Sequence, residues 1–195
     1  MKNVLFVATH LFSGAEDLSI LLNSSPKVQI THTGTVYNHP TSLEPLFAAG
    51  HKLRTNGAIY GDLLLYNTSL CSEIFYDFCK FIYVIRSAAP TLNLMVEKTD
   101  YSQQGALRYY TYRLERLCEM AKRTPKGLIV TWDSLNSGKA FPAIEEHLDL
   151  INPIKPFGFT DESKDLVHYE TIQEAQDSYE RHLYYMKHLP ITLIE

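Results

Sequence analysis

The sequence predicts an α/β protein, three layers deep, with a central, mainly parallel sheet between helices. Three observations predict it. Val4-Leu5-Phe6-Val7-Ala8, Phe81-Ile82-Tyr83-Val84-Ile85 and Leu128-Ile129-Val130-Thr131 are short, almost continuously apolar runs, the pattern of strands buried on both faces of a parallel sheet. Segments with helical spacing separate them. The first run opens into a glycine turn and then a helix, an arrangement that aims free backbone N–H groups at an anion. At 195 residues a single domain, 1–195, is expected, with residues 152–195 packed on it as a C-terminal loop and helix.

Taken in order, strand Val4 to Ala8 leads through the turn Thr9 to Gly14 into a helix from Ala15 to Leu22. Asn23 to Pro26 is a turn, Val28 to Thr33 a short strand, and Gly34 to Pro40 a loop. Thr41 or Ser42 caps a helix to about Ala49, which Gly50 stops. Asn56 to Tyr66 reads as a strand running into a site-type loop, and Thr68 or Ser69 caps a helix through Phe78. Lys80 to Arg86 is the second strong strand, and Pro90 marks the first turn of a helix ending near Lys98. From Gln103 to Lys122, Leu107, Tyr110, Leu114, Leu117 and Ala121 recur at spacings of three and four, with Arg108, Arg113, Glu115 and Arg116 off that stripe. Pro125-Lys126-Gly127 breaks this helix ahead of the strand Leu128 to Thr131. A helix follows from about Ala140 to Leu150, then a loop from Asn152 to Lys164 and a last helix from Glu170 to His188.

Composition excludes several classes. Apolar residues make up 45% and charged residues 21% of the chain, which is ordinary for a folded protein. A net charge of -4 argues against non-specific nucleic-acid binding, and the arginines of the long helix form no stripe. Cys71, Cys79 and Cys118 show no CxxC spacing and read as reduced thiols, and the histidines show no paired-ligand spacing, so no metal is assigned. No segment is long and apolar enough to cross a bilayer, and no signal peptide is evident. The expectation is a cytoplasmic protein without membrane or nucleic-acid partners.

Three segments, in order, resemble the sulfotransferase family of P-loop proteins. Val4 to Val28, with its Ser13-Gly14 turn and the run Leu21-Leu22-Asn23-Ser24-Ser25-Pro26-Lys27-Val28, is similar to the family's phosphosulfate loop and the stretch after it. Phe81 to Arg86 looks like the strand ending in the arginine that holds the donor's 3′-phosphate. Leu128 to Leu135 looks like the family's third strand and its following acidic segment. The resemblance implies a P-loop NTPase-like, sulfotransferase-like fold. It also implies transfer of a sulfuryl group from 3′-phosphoadenosine 5′-phosphosulfate to the hydroxyl of a small-molecule or glycan acceptor. Ser13, Gly14 and Ala15 would line the 5′-phosphosulfate through backbone N–H groups, and Arg86 would grip the 3′-phosphate.

This chain departs from the family at identifiable places. Phe12 stands where the loop cation belongs, and Ala15 and Glu16 stand where hydroxyl residues usually follow the glycine. Leu94 occupies the position eight residues after Arg86 where a serine is usual, with Asn93 beside it as a stand-in. Glu16 and Asp17 suit the positive end of the helix but repel a bound anion. A protonated His10 is one replacement for the cation, against a plain hydrogen-bonded turn histidine. His32 and His39 are candidate bases and Arg54 a candidate charge for the transferring group, against ordinary surface roles. Arg86 has a structural alternative too, an ion pair with a carboxylate such as Asp133. The alternative function is a catalytically inactive binding or assembly protein on the same fold. A nucleotide kinase is disfavoured by the missing Lys-Ser/Thr pair.

Overall fold

In the computed structural model, which describes residues 3–50, 57–67, 70, 72–151, 153–154 and 163–195, the three apolar runs lie side by side. They are β1 (Val4–Thr9), β4 (Lys80–Ile85) and β5 (Gly127–Thr131). With β2 (Val28–Thr31), β3 (Ile59–Leu64) and a short edge strand β6 (Thr192–Ile194) they make a six-stranded sheet in the order β2-β3-β1-β4-β5-β6. Every pairing is parallel, so the expectation of a mainly parallel sheet is met in full among the described residues.

Side chains alternate between the two faces of each strand, and both faces are covered. Leu5, Val7, Ile82, Val84, Leu128 and Val130 meet α1 (Ala15–Asn23), α6 (Trp132–Asn136) and α7 (Phe141–Leu148). Phe6, Ala8, Phe81, Tyr83, Ile85 and Ile129 meet α2 (Glu44–Gly50), α3 (Ile74–Phe78), α4 (Ala88–Lys98), α5 (Gln103–Arg123) and α8 (Tyr169–Lys187). Right-handed crossovers favour this split, because connections running toward β2 and toward β5 leave the sheet on opposite faces. Among the described residues no helix is long and apolar enough to cross a membrane.

That strand order fixes where a ligand can sit. From β1 the chain turns through α1 toward β2. From β4, the neighbour of β1 on the other side, it turns through α4 and α5 toward β5. The two connections diverge and leave a crevice at the carboxyl ends of β1 and β4, the position where open α/β sheets bind ligands.

Several elements differ from the expectation. β2 ends at Thr31, since Thr33 leaves the sheet to bond Asp62: its N–H and hydroxyl both donate to the buried carboxylate, at 2.9 and 2.6 Å. The Tyr37 hydroxyl donates to the same carboxylate at 2.8 Å, fixing the loop after β2. Thr41 and Ser42 lie inside a 3-10 turn, Pro40–Leu43, which His39 caps and which precedes α2 at Glu44. β6 and α6 are additional elements. Thr68, Ser69 and Cys71 lie outside the described residues, as does most of the stretch between Asn152 and Lys164.

The largest correction concerns Arg113. It is 1% exposed and belongs to the buried face of α5, three residues after Tyr110 and four before Leu117. Polar acceptors at the strand ends, described below, allow a charge to lie there.

Gly61 shows how closely β3 approaches β1. A methyl group there would lie 2.5 Å from Leu5 O and 2.6 Å from Ile30 Cδ1. Gly61→Ala is expected to cost about 2 kcal/mol or more through backbone displacement, measured as a lowered urea midpoint. An unchanged midpoint would contradict this packing.

Candidate functional site

The site is built on the turn that follows β1. Phe12 adopts a left-handed backbone with φ 57°, and Gly14 follows with φ 88°. A phenylalanine in this region carries a strain of about 1 kcal/mol, the kind of local cost that accumulates at binding loops. The Ser13 hydroxyl is buried against Thr9 Oγ1 and accepts from Ala15 N–H at 3.3 Å. The ladder of α1 starts with Leu18 N–H donating to Gly14 O at 3.0 Å. The N–H groups of Glu16 and Asp17 therefore lie ahead of that ladder, at the positive end of the helix.

Arg86, the first residue after β4, reaches across to this turn. One guanidinium nitrogen donates to Phe12 O at 3.1 Å, and the guanidinium carbon lies 4.4 Å from the centre of the Trp132 ring. Trp132, the first residue of α6, also lies against Gly14: a Cβ there would come within 2.8 Å of the indole. His10, Phe12, Ser13, Gly14, Ala15, Glu16, Asp17, Arg86, Leu94 and Trp132, with Leu65, enclose a cavity of about 160 Å³.

His10 does not supply the missing charge. Its Nε2 accepts from Arg86 N–H at 3.0 Å and its Nδ1 donates to Leu11 O at 2.9 Å, a pattern only the neutral ring satisfies. Burial, reinforced by the charges of Arg113 and Arg86, lowers its pKa to about 4. His10 is a bracket between the ends of β1 and β4. Of the two readings of His10, the hydrogen-bonded turn histidine is the one this geometry fits.

Helix α5 holds the rest of the site from one face of the sheet. Tyr109 OH accepts from Leu11 N–H at 3.2 Å and donates to Leu65 O at 3.1 Å. Tyr110 OH donates to Arg86 O at 2.6 Å. Arg113 donates from Nε to Thr9 O at 2.7 Å, from one terminal nitrogen to Asn67 Oδ1 at 2.9 Å and from the other to Leu64 O. Three side chains within little more than one turn of one helix thus tie together the ends of β1, β3 and β4. Sequence reasoning missed Tyr109, Arg113 and Trp132. The spacing of Arg113 from Tyr110 and Leu117 was the available signal.

The expected site residues divide clearly. His10, Phe12, Ser13, Gly14, Ala15 and Arg86 converge on the cavity. Asn93 does not line it: its Oδ1 accepts from Leu166 N–H and Val167 N–H at 2.8 and 2.9 Å and holds the approach to α8. Leu94 forms the wall in its place. His32 is exposed beyond β2, and His39 is the exposed cap described above; neither lines the cavity. Arg54 lies outside the described residues. Glu16 and Asp17 both face the cavity, and burial raises the pKa of Asp17 while the charge of Arg86 opposes that shift. Among the described residues no group of three or more His, Cys, Asp or Glu is placed to hold a metal ion.

Compared with known proteins, the sequence matches no family model and no curated protein.

Two outcomes follow from this geometry. Gly14→Ala should destabilise the fold by at least about 1 kcal/mol through its left-handed backbone. It should also shift the fluorescence of Trp132, the chain's single tryptophan; an unmoved spectrum would contradict the contact. The second outcome concerns pH. His10 titrates near 4 when folded and near 6.5 when unfolded, so the unfolded chain binds the extra proton between those values. Stability from this residue is complete above pH 6.5 and is lost as pH falls toward 4. It should fall by about 2 kcal/mol between pH 7 and pH 5, read by urea denaturation, and His10→Gln should flatten that slope.

Proposed function

We propose that this is a sulfotransferase-like protein of the P-loop type. Its β1 turn and Arg86 would bind the anionic end of 3′-phosphoadenosine 5′-phosphosulfate, whose sulfuryl group passes to a hydroxyl of a small-molecule or glycan acceptor. One observation carries the reading: Arg86 arrives from β4 at the glycine turn after β1, at the crevice where the chain direction divides. A helix N-terminus, a turn rich in N–H groups and a guanidinium together favour a phosphate or sulfate group. In the transfer, a bond forms between acceptor oxygen and sulfur as the bond from sulfur to the 5′-phosphate oxygen breaks. The electron pair leaves on that phosphate and the acceptor proton passes to a base. Fixed donors at the cavity would stabilise the charge that develops there.

A specific observation favours the second reading, a protein of the same fold that binds without transferring. His10 has both ring nitrogens engaged, and His32 and His39 lie off the cavity, so no imidazole there is available as base among the described residues. Glu16 and Asp17 add negative charge at its rim.

Calorimetric titration with 3′-phosphoadenosine 5′-phosphate tests the shared part of both readings. The wild type should bind in the micromolar range, and Arg86→Ala should weaken binding by roughly tenfold or more. No binding at millimolar nucleotide would overturn the assignment. Turnover of the sulfated donor with a panel of hydroxyl acceptors then separates enzyme from binder.

A further inference from the structure

Arg113 is an unusual residue for the interior of a helix layer. Its guanidinium is 1% exposed. Its three hydrogen-bond acceptors, Thr9 O, Asn67 Oδ1 and Leu64 O, are all neutral, and among the described residues no carboxylate pairs with it. Burial lowers its pKa to about 10, which leaves it protonated at neutral pH. A buried charge balanced by carbonyl dipoles alone is costly, although its bonds satisfy Thr9 O and Leu64 O, which a leucine or methionine on α5 would leave unmatched. The charge also has a direction of action. It lies at the carboxyl end of β1, one residue before the site turn, and its field reaches His10 on the cavity wall.

We propose that Arg113 is the cation of this loop, a positioning residue placed beneath the β1 turn that supplies from α5 the positive charge which Phe12 does not. The inference rests on the reading of the cavity as an anion site. Arg113 does not line the cavity and would not touch the ligand. It acts through the carbonyl of Thr9, orienting the turn, and through its field in a low-dielectric interior. The anion it favours is a phosphate or sulfate group, for which Arg86 is the direct contact.

The test compares wild type, Arg113→Lys, Arg113→Met and Asn67→Ala for binding of 3′-phosphoadenosine 5′-phosphate, with Trp132 fluorescence and circular dichroism reporting the fold. Arg113→Met should bind roughly tenfold more weakly or worse, and Arg113→Lys should recover most of the loss by keeping the charge. Asn67→Ala, which loosens the same latch without removing the charge, should stay within about threefold of wild type. Folded Arg113→Met that binds as wild type does would overturn the proposal. So would equal losses in the lysine and methionine variants.

Should Arg113→Met fail to fold, the wild type decides. The ¹⁵Nε resonance of Arg113 should move as nucleotide saturates the site, and an unmoved resonance would overturn the proposal. The two failures remain distinguishable. A wild type that binds no nucleotide removes the anion site itself, whereas nucleotide binding that depends on Arg86 but not on Arg113 removes only this inference.

Discussion

The guanidinium of Arg113, buried where β1 and β3 end, is the interaction on which the site depends. Parallel strands finish with carbonyl groups that the ladder does not satisfy, and here Thr9 O and Leu64 O turn toward a single side chain from α5. Tyr109 and Tyr110, on the same helix, take Leu11, Leu65 and Arg86. The bonds to Thr9 O, Leu64 O and Arg86 O lie out of water, where an unmatched polar group is expensive. The turn after β1 is therefore fixed by a helix far from it in sequence, and Arg86 holds the left-handed Phe12 through its carbonyl.

That constraint explains the electrostatics of the crevice. Two guanidinium groups, Arg86 and Arg113, lie close enough to His10 to help keep its ring neutral. A neutral His10 then bridges β1 and β4 by donating to Leu11 O and accepting from Arg86 N–H. Positive charge is thus concentrated in the two guanidinium groups, while the imidazole serves as a hydrogen-bonding bracket. Trp132 completes the arrangement by covering both Arg86 and Gly14.

Much of the fold was legible in the sequence, and the reasons are physical. Strands buried on both faces must be apolar throughout, so β1, β4 and β5 stand out. The long helices α5 and α8 declare themselves by spacing to within a residue or so. β6 did not, because three residues at a sheet edge, exposed or half-buried, carry no pattern. In the site, the turn and Arg86 were readable from position alone. Asn93 was misplaced because neighbouring residues on a helix point about 100° apart, and it is Leu94 that faces the cavity. Arg113 was placed off the apolar stripe although its spacing from Tyr110 and Leu117 put it on the buried face. Trp132 meets Gly14 only through the tertiary fold, which no local pattern encodes.

The central claim is that an anion binds where β1 and β4 end, and a crystal structure of the protein with 3′-phosphoadenosine 5′-phosphate tests it most directly. The account predicts a phosphate group in the cavity, within hydrogen-bonding distance of N–H groups of the Ser13 to Asp17 turn and of the Arg86 guanidinium. Nucleotide bound elsewhere, with Trp132 still closed on Gly14 and the cavity holding only water, would contradict it.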